Sequence, residues 1–368
     1  AAIDASITAG TNRITAEVKL NKQLAGQIKA NAPELAMLWP GLQGAMDANV
    51  TLGGSLEHPQ VKLVSNASSV SYGLYSLDRF NINGELLGNN TIAGELSATG
   101  LVSGEQQLGN LDFNLSGTVA DHASRLILRD GVIDVELTAS GGWDGKTLTQ
   151  RFERGRVQPD GFDSWRLQQK PELRMTAAEG QLGAHCWKQR DAGICLNASQ
   201  WDENILKSAI VIDDFALASL QPLLAEGYSI DGKIDADLRL TRDSAGLQGE
   251  LHWRQSRTVL GYSDDIDTFQ TVLDEVRIDL VTDTSQTRLD ANLNGEQGLN
   301  MIATARVNGP LAPESPLQAS AKGILPSIGL LRPLMQRVVN PGELQGELTV
   351  DLDAGGTLGD PLFTGGAY

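Results

Sequence analysis

Between Glu343 and Asp353 the chain places an apolar residue or a glycine at every second position. Leu344, Gly346, Leu348, Val350 and Leu352 alternate with Glu343, Gln345, Glu347, Thr349, Asp351 and Asp353. An extended strand sorts such a sequence into one apolar and one charged face. The pattern recurs along most of the chain. Something must therefore cover, or use, a large apolar surface, and that requirement constrains the fold more than any other feature.

The stretch belongs to a larger unit. Within 326–338, Ile328, Leu331, Leu334 and Met335 fall at helical spacing, which predicts a helix of about three turns. An Asn340-Pro341-Gly342 break precedes the strand, and Gly355-Gly-Thr-Leu-Gly-Asp-Pro-Leu-Phe363 follows it. The same order occurs twice earlier. A helix at 33–39 precedes a strand at 42–52, and a helix at 214–225 precedes a strand at 229–240. The units begin near 33, 214 and 326, at uneven intervals, so this is not a solenoid of short fixed repeats.

The remaining chain reads as strands and tight turns. A hairpin runs through 14–20 and 24–30, and a meander through 61–65, 80–87, 91–98, 111–119, 125–128 and 132–138. Residues 141–204 are less regular, with strands expected at 165–168, 172–177 and 193–198. A strand at 247–253 is followed by an expected long loop, Arg254 to Asp274, and by strands at 275–282, 287–293, 299–307 and 317–323. Forty glycines and only 5% aromatic residues suit short strands and tight turns. Short connections without crossover helices make the sheet mainly antiparallel, with about twenty strands. The expectation is one continuous all-β segment over 1–368, starting without Met and reading as a piece of a larger protein.

The formal net charge is −17, with no basic stripe to meet phosphates, which excludes a nucleic-acid reader and disfavours adhesion to an anionic membrane. Cys186 and Cys195 flank an Asp191-Ala-Gly193 turn, so both sulfurs belong near the base of one hairpin. A disulfide is expected there, which would imply an oxidising compartment; a pair of free thiols is the alternative. His58, His122, His185 and His252 form no triad or metal-ligand pattern. Gly141-Gly-Trp-Asp-Gly-Lys-Thr147 lacks the first glycine and the helix of a phosphate loop, and Asp264-Asp-Ile-Asp267 lacks full calcium-loop spacing. No residues carry an enzyme reading, and no cofactor or metal is expected.

Three arrangements cover an apolar face this long: two or three β-sandwiches, a transmembrane barrel, or a U-shaped trough whose apolar face lines an open channel. The scarce aromatics and short strands argue against the barrel. Gly84-Glu-Leu86, Gly94-Glu-Leu96 and Leu115-Ser-Gly117 share one habit, a glycine beside aliphatics on the apolar face. Those strands, the short helix before a looping strand, and the Leu56-Glu-His-Pro-Gln60 and Leu358-Gly-Asp-Pro-Leu362 turns together resemble the AsmA-like proteins of the Gram-negative envelope, and among them the TamB family.

The resemblance implies an elongated antiparallel sheet curled into a periplasmic β-taco groove, in a protein anchored in the inner membrane by a segment absent here. It also implies passage of glycerophospholipids between the inner and outer membranes, with the outer-membrane barrel TamA as partner in outer-membrane protein and autotransporter assembly. Alternation assigns the groove lining to Leu42, Met46, Val50, Ile82, Leu86, Ile234, Leu238, Leu344, Leu348 and Leu352. The competing reading is a chaperone-like scaffold whose exposed β-edge receives outer-membrane protein strands by β-augmentation.

Overall fold

Period-2 patterning becomes strand almost everywhere in the computed structural model, which describes residues 2–224, 227–263, 268–326 and 346–367. The described residues form 27 strands, and each described pairing between them is antiparallel. Two compact units divide the chain, Ala1–Ala177 and Ala178–Tyr368.

The first unit holds β1 (Ala2–Ala9), β2 (Asn12–Leu20), β3 (Leu24–Ala32), β4 (Leu42–Gly54), β5 (Pro59–Tyr72), β6 (Tyr75–Leu86) and β7 (Thr91–Ser103). It continues with β8 (Gln106–Thr118), β9 (His122–Arg129), β10 (Ile133–Trp143), β11 (Leu148–Pro159), β12 (Trp165–Leu167) and β13 (Glu172–Met175). From β1 to β11 each strand pairs with the next in sequence. β11 then pairs with both β12 and β13.

The second unit holds β14 (Glu179–Leu182), β15 (His185–Gln189), β16 (Ala192–Leu196), β17 (Ser199–Asp202), β18 (Leu206–Ala216), β19 (Tyr228–Asp231) and β20 (Lys233–Asp243). It ends with β21 (Gly246–Ser263), β22 (Thr268–Thr282), β23 (Gln286–Gly295), β24 (Asn300–Asn308), β25 (Leu317–Leu325), β26 (Leu348–Gly356) and β27 (Pro361–Ala367). β18 pairs with β16 and β17 on one edge and with β20 on the other. From β20 to β27 the pairing again follows sequence order.

Four expectations change. The helix expected at 33–39 is a single 3-10 turn, Leu35–Met37. Pro40 stops it after one turn because it offers no amide and clashes with a continuing helix. The fully buried Asn12 fixes the turn from both sides: its side-chain amide donates to the Glu34 carbonyl at 2.7 Å, and its carbonyl accepts the Glu34 N–H at 3.0 Å. The helix expected at 214–225 begins as the end of β18 and becomes a 3-10 segment at Leu217–Leu223.

The strand expected over 229–240 breaks at Gly232, whose φ of +148° suits glycine, and a Cβ there would lie 2.3 Å from the Thr258 hydroxyl. Of the loop expected from Arg254 to Asp274, residues 254–263 are instead the outer half of β21 and residues 268–274 the start of β22. Registered pairing of Val259 with Val272 and Leu260 with Thr271 carries the strands through it.

The helix expected at 326–338, the lining residue Leu344 and the Asp264–Asp267 cluster lie outside the described residues. Gly141–Trp143 end β10, and Asp144–Thr147 is the hairpin turn into β11. The Asp144 carboxylate accepts the Lys146 and Thr147 amides at 2.8 and 2.7 Å, and those bonds, Thr147's first, hold its pKa below the usual carboxylate value. No helix among the described residues is long and apolar enough to cross a membrane.

The cysteines lie directly opposite each other on β15 and β16 and are joined, with 2.08 Å between the sulfurs. The hairpin expected around Asp191-Ala-Gly193 is therefore present and closed by a covalent bond.

Candidate functional site

Directly opposed residues of an antiparallel pair project on the same face. Following the register from strand to strand therefore traces a row across the sheet. In the first unit one such row reads Ile7, Ile14, Ala30, Ala48, Ser65, Ile82, Leu96, Phe113, Leu126 and Leu137, one residue from each of β1 to β10. At ~4.8 Å per strand it covers roughly 40 Å. Beside it runs Ile28, Val50, Leu63, Gly84, Gly94 and Leu115. On its other side runs Ala32, Met46, Ala67, Phe80, Ala98, Leu111, Leu128, Val135 and Val157.

The second unit repeats the device. Trp187, Ile194, Ile212, Ala236, Trp253, Ile278, Ala291, Ala303, Ala321 and Leu352 form one row. Leu196, Ile210, Leu238, Leu251, Leu280, Leu289, Ala305, Ala319 and Ala354 form the next.

Little covers these rows. A sandwich would bury the inward residues of every strand against a facing sheet. Among the described residues only twelve apolar side chains are buried, and five of those are alanines. Most row residues are half-buried, as side chains shielded by their sheet neighbours but not by a facing layer would be. The glycines widen this space. Gly84 stands directly opposite Gly94, and a Cβ added to Gly94 would only reach ordinary contact with Leu115 at 3.8 Å.

The opposite face is polar and paired. Asn31 donates to Asp47 at 2.6 Å and Asn81 to Ser97 at 3.2 Å. Arg125 meets Glu136 at 2.7 Å, and Lys322 meets Asp351 at 2.9 Å. These exposed pairs do more for register and solubility than for stability. Asp279 is more sheltered. It accepts the His252 ring N–H at 2.6 Å and the Arg277 guanidinium at 2.6 Å; the histidine bond first, then the arginine, lowers its pKa.

Of the residues assigned by alternation, Met46, Val50, Ile82 and Leu86 share the apolar face of the first unit. Leu42 stands opposite Tyr72, beyond a bulge at Gln43–Ala45. In the second unit Leu238, Leu348 and Leu352 are on the apolar face, opposite Leu251, Leu325 and Ala321 respectively. Ile234 lies opposite Phe215 and, at 5% exposed, is buried. Sequence reasoning did not pick out the row members Phe113, Leu126, Trp253 and Ile278. The same alternation marks them once the strand bulges are placed.

Nearly the whole chain, residues 2–367, matches the family described as "TamB, N-terminal domain". The chain belongs to the TamB family. A curated relative, "Translocation and assembly module subunit TamB" of Haemophilus influenzae, is 22% identical over 98% of this chain. The chain spans 28% of that TamB relative's length. No solved structure matches it.

Proposed function

We propose that the apolar face is one wall of a lipid conduit, and that this TamB-family segment carries glycerophospholipids through the periplasm between the inner and outer membranes. The observation that carries the reading is the set of apolar rows, locked in register across strand after strand and left half-open. An acyl chain crossing water exposes its methylenes at ~0.8 kcal/mol each, so a 16-carbon chain costs about 12 kcal/mol. A strip of similar aliphatic side chains removes most of that cost without a deep minimum, so a lipid can slide. Its head group remains in water at the open side. The U-shaped β-taco is the form in which such a sheet encloses a chain. The role is non-catalytic. In the full-length protein, anchored in the inner membrane, it acts with TamA in outer-membrane protein and autotransporter assembly.

Site-specific photocrosslinking in cells with labelled phospholipid tests this. A crosslinker at Leu352 is expected to capture lipid, while Asp351 and Asp353, on the other face, capture none. Protein adducts at Leu352 with no lipid would mean that the face is covered by polypeptide, and the conduit reading would be dropped.

A further inference from the structure

Two neighbouring turns at one end of the first unit carry an uncovered apolar cluster. The first is Met37-Leu-Trp-Pro-Gly-Leu42, between β3 and β4; the second is Tyr72-Gly-Leu-Tyr75, joining β5 to β6. Register sets them side by side: Leu42 pairs with Tyr72, and a side-chain carbon added at Gly41 would lie 3.6 Å from the Tyr72 ring. Trp39 is 61% exposed, Leu74 75% and Tyr75 65%. None of them belongs to the strand rows that form the apolar face.

Three properties point to one kind of partner. Neither turn contains a charged residue, in a chain of net charge −17. Exposed tryptophan and tyrosine beside leucine is the mixture that settles at a membrane–water boundary, apolar body inward and polar tip wet. Several backbone groups at the tips are already hydrogen-bonded: Trp39 N–H donates to Leu35 O at 3.1 Å, Leu42 N–H to Trp39 O at 3.2 Å, and Gly104 N–H to Leu74 O at 2.8 Å. Entry into an apolar layer therefore strands none of these groups, the condition that excludes most turns from lipid. At the opposite ends of the strands, exposed Leu56 is followed by Glu57, and Trp143 by Asp144 and Lys146.

We propose that the Trp39 and Leu74 turns form a contact site for a zwitterionic phospholipid bilayer surface, distinct from the apolar sheet face. The neutral cluster in an acidic chain selects against anionic lipid, which would need lysine or arginine at the contact.

The test is flotation of the 368-residue chain with phosphatidylcholine vesicles, with and without phosphatidylglycerol. The chain is expected to float with phosphatidylcholine alone. A Trp39→Ser/Leu74→Ser variant is expected to partition at least about tenfold less, from loss of two apolar side chains. Leu56→Ser is expected to change nothing. The proposal is overturned by absence of flotation, by equal flotation of the double variant, or by flotation that requires phosphatidylglycerol. It is also overturned if light scattering shows the wild type dimerising through this cluster and the variant monomeric, because the occupant is then a second copy. A lipid-binding failure here leaves the Leu352 crosslink untouched, so the two readings fail separately.

Discussion

The His122 ring on β9 and the Gln150 amide on β11 meet at 2.6 Å across Gly141 of β10, which stands directly opposite both residues. The contact exists because the middle strand has no side chain there. A Cβ at Gly141 would lie 1.9 Å from the Thr149 carbonyl oxygen. Gly141→Val is therefore expected to destabilise the first unit by about 1–3 kcal/mol or more, as overpacked sites do. Urea unfolding would measure it, and an unchanged midpoint would refute the steric argument.

Leu352→Asp places a charge in the middle of an apolar row, opposite Ala321 and Gly365. Strand content by circular dichroism is expected to persist, because the site is half-open and the charge can reach water. Lipid delivery to the outer membrane is expected to fall sharply. Asp353→Ala, on the polar face, is expected to deliver lipid normally; a defect of equal size there would disconnect transport from the row.

The Cys186–Cys195 bond closes a short hairpin, β15–β16. In the chain-entropy account, reduction lowers stability by about 2.6 kcal/mol. The second unit is expected to unfold at lower urea with reductant than without it, whereas the Cys186→Ala/Cys195→Ala variant is expected to ignore reductant.

Asp279 has its pKa depressed in the folded chain by the His252 and Arg277 hydrogen bonds. A depressed carboxylate contributes stability that is present above its unfolded pKa of about 3.9 and is lost as pH falls through the folded value. Asp279→Asn is thus expected to lower stability at neutral pH and to flatten the acid side of the stability profile. Parallel profiles for both proteins below pH 4 would count against this assignment.

Legibility in the sequence followed the regularity of the side-chain period. The 14–30 hairpin is observed as β2 and β3, because Ile14, Ala16 and Val18 alternate without interruption. The region 254–274 reads as a loop because Arg254 to Thr258 put five polar residues in succession. Hairpin pairing with the next strand, β22, imposes strand there, and the polar run itself does not report it. The apolar face was visible residue by residue. Its rows were not, because a row depends on register, and bulges such as those at Gln43–Ala45 and Thr138–Ala139 reset register without any mark in composition. The helices expected at 33–39 and 214–225 are 3-10 segments: helical spacing over 33–39, closed by Pro40, suffices for only one tight turn.

From β1 to β11 every strand finds its partner in the strand just made, across connections of a few residues. Contacts so local keep the loop-closure entropy of each step small. Such a sheet can be added to one hairpin at a time, starting before the rest of the polypeptide is available. A chain delivered end-first through a narrow translocation pore could fold on arrival, with each new strand templated by the last and no stage at which distant segments must search for one another.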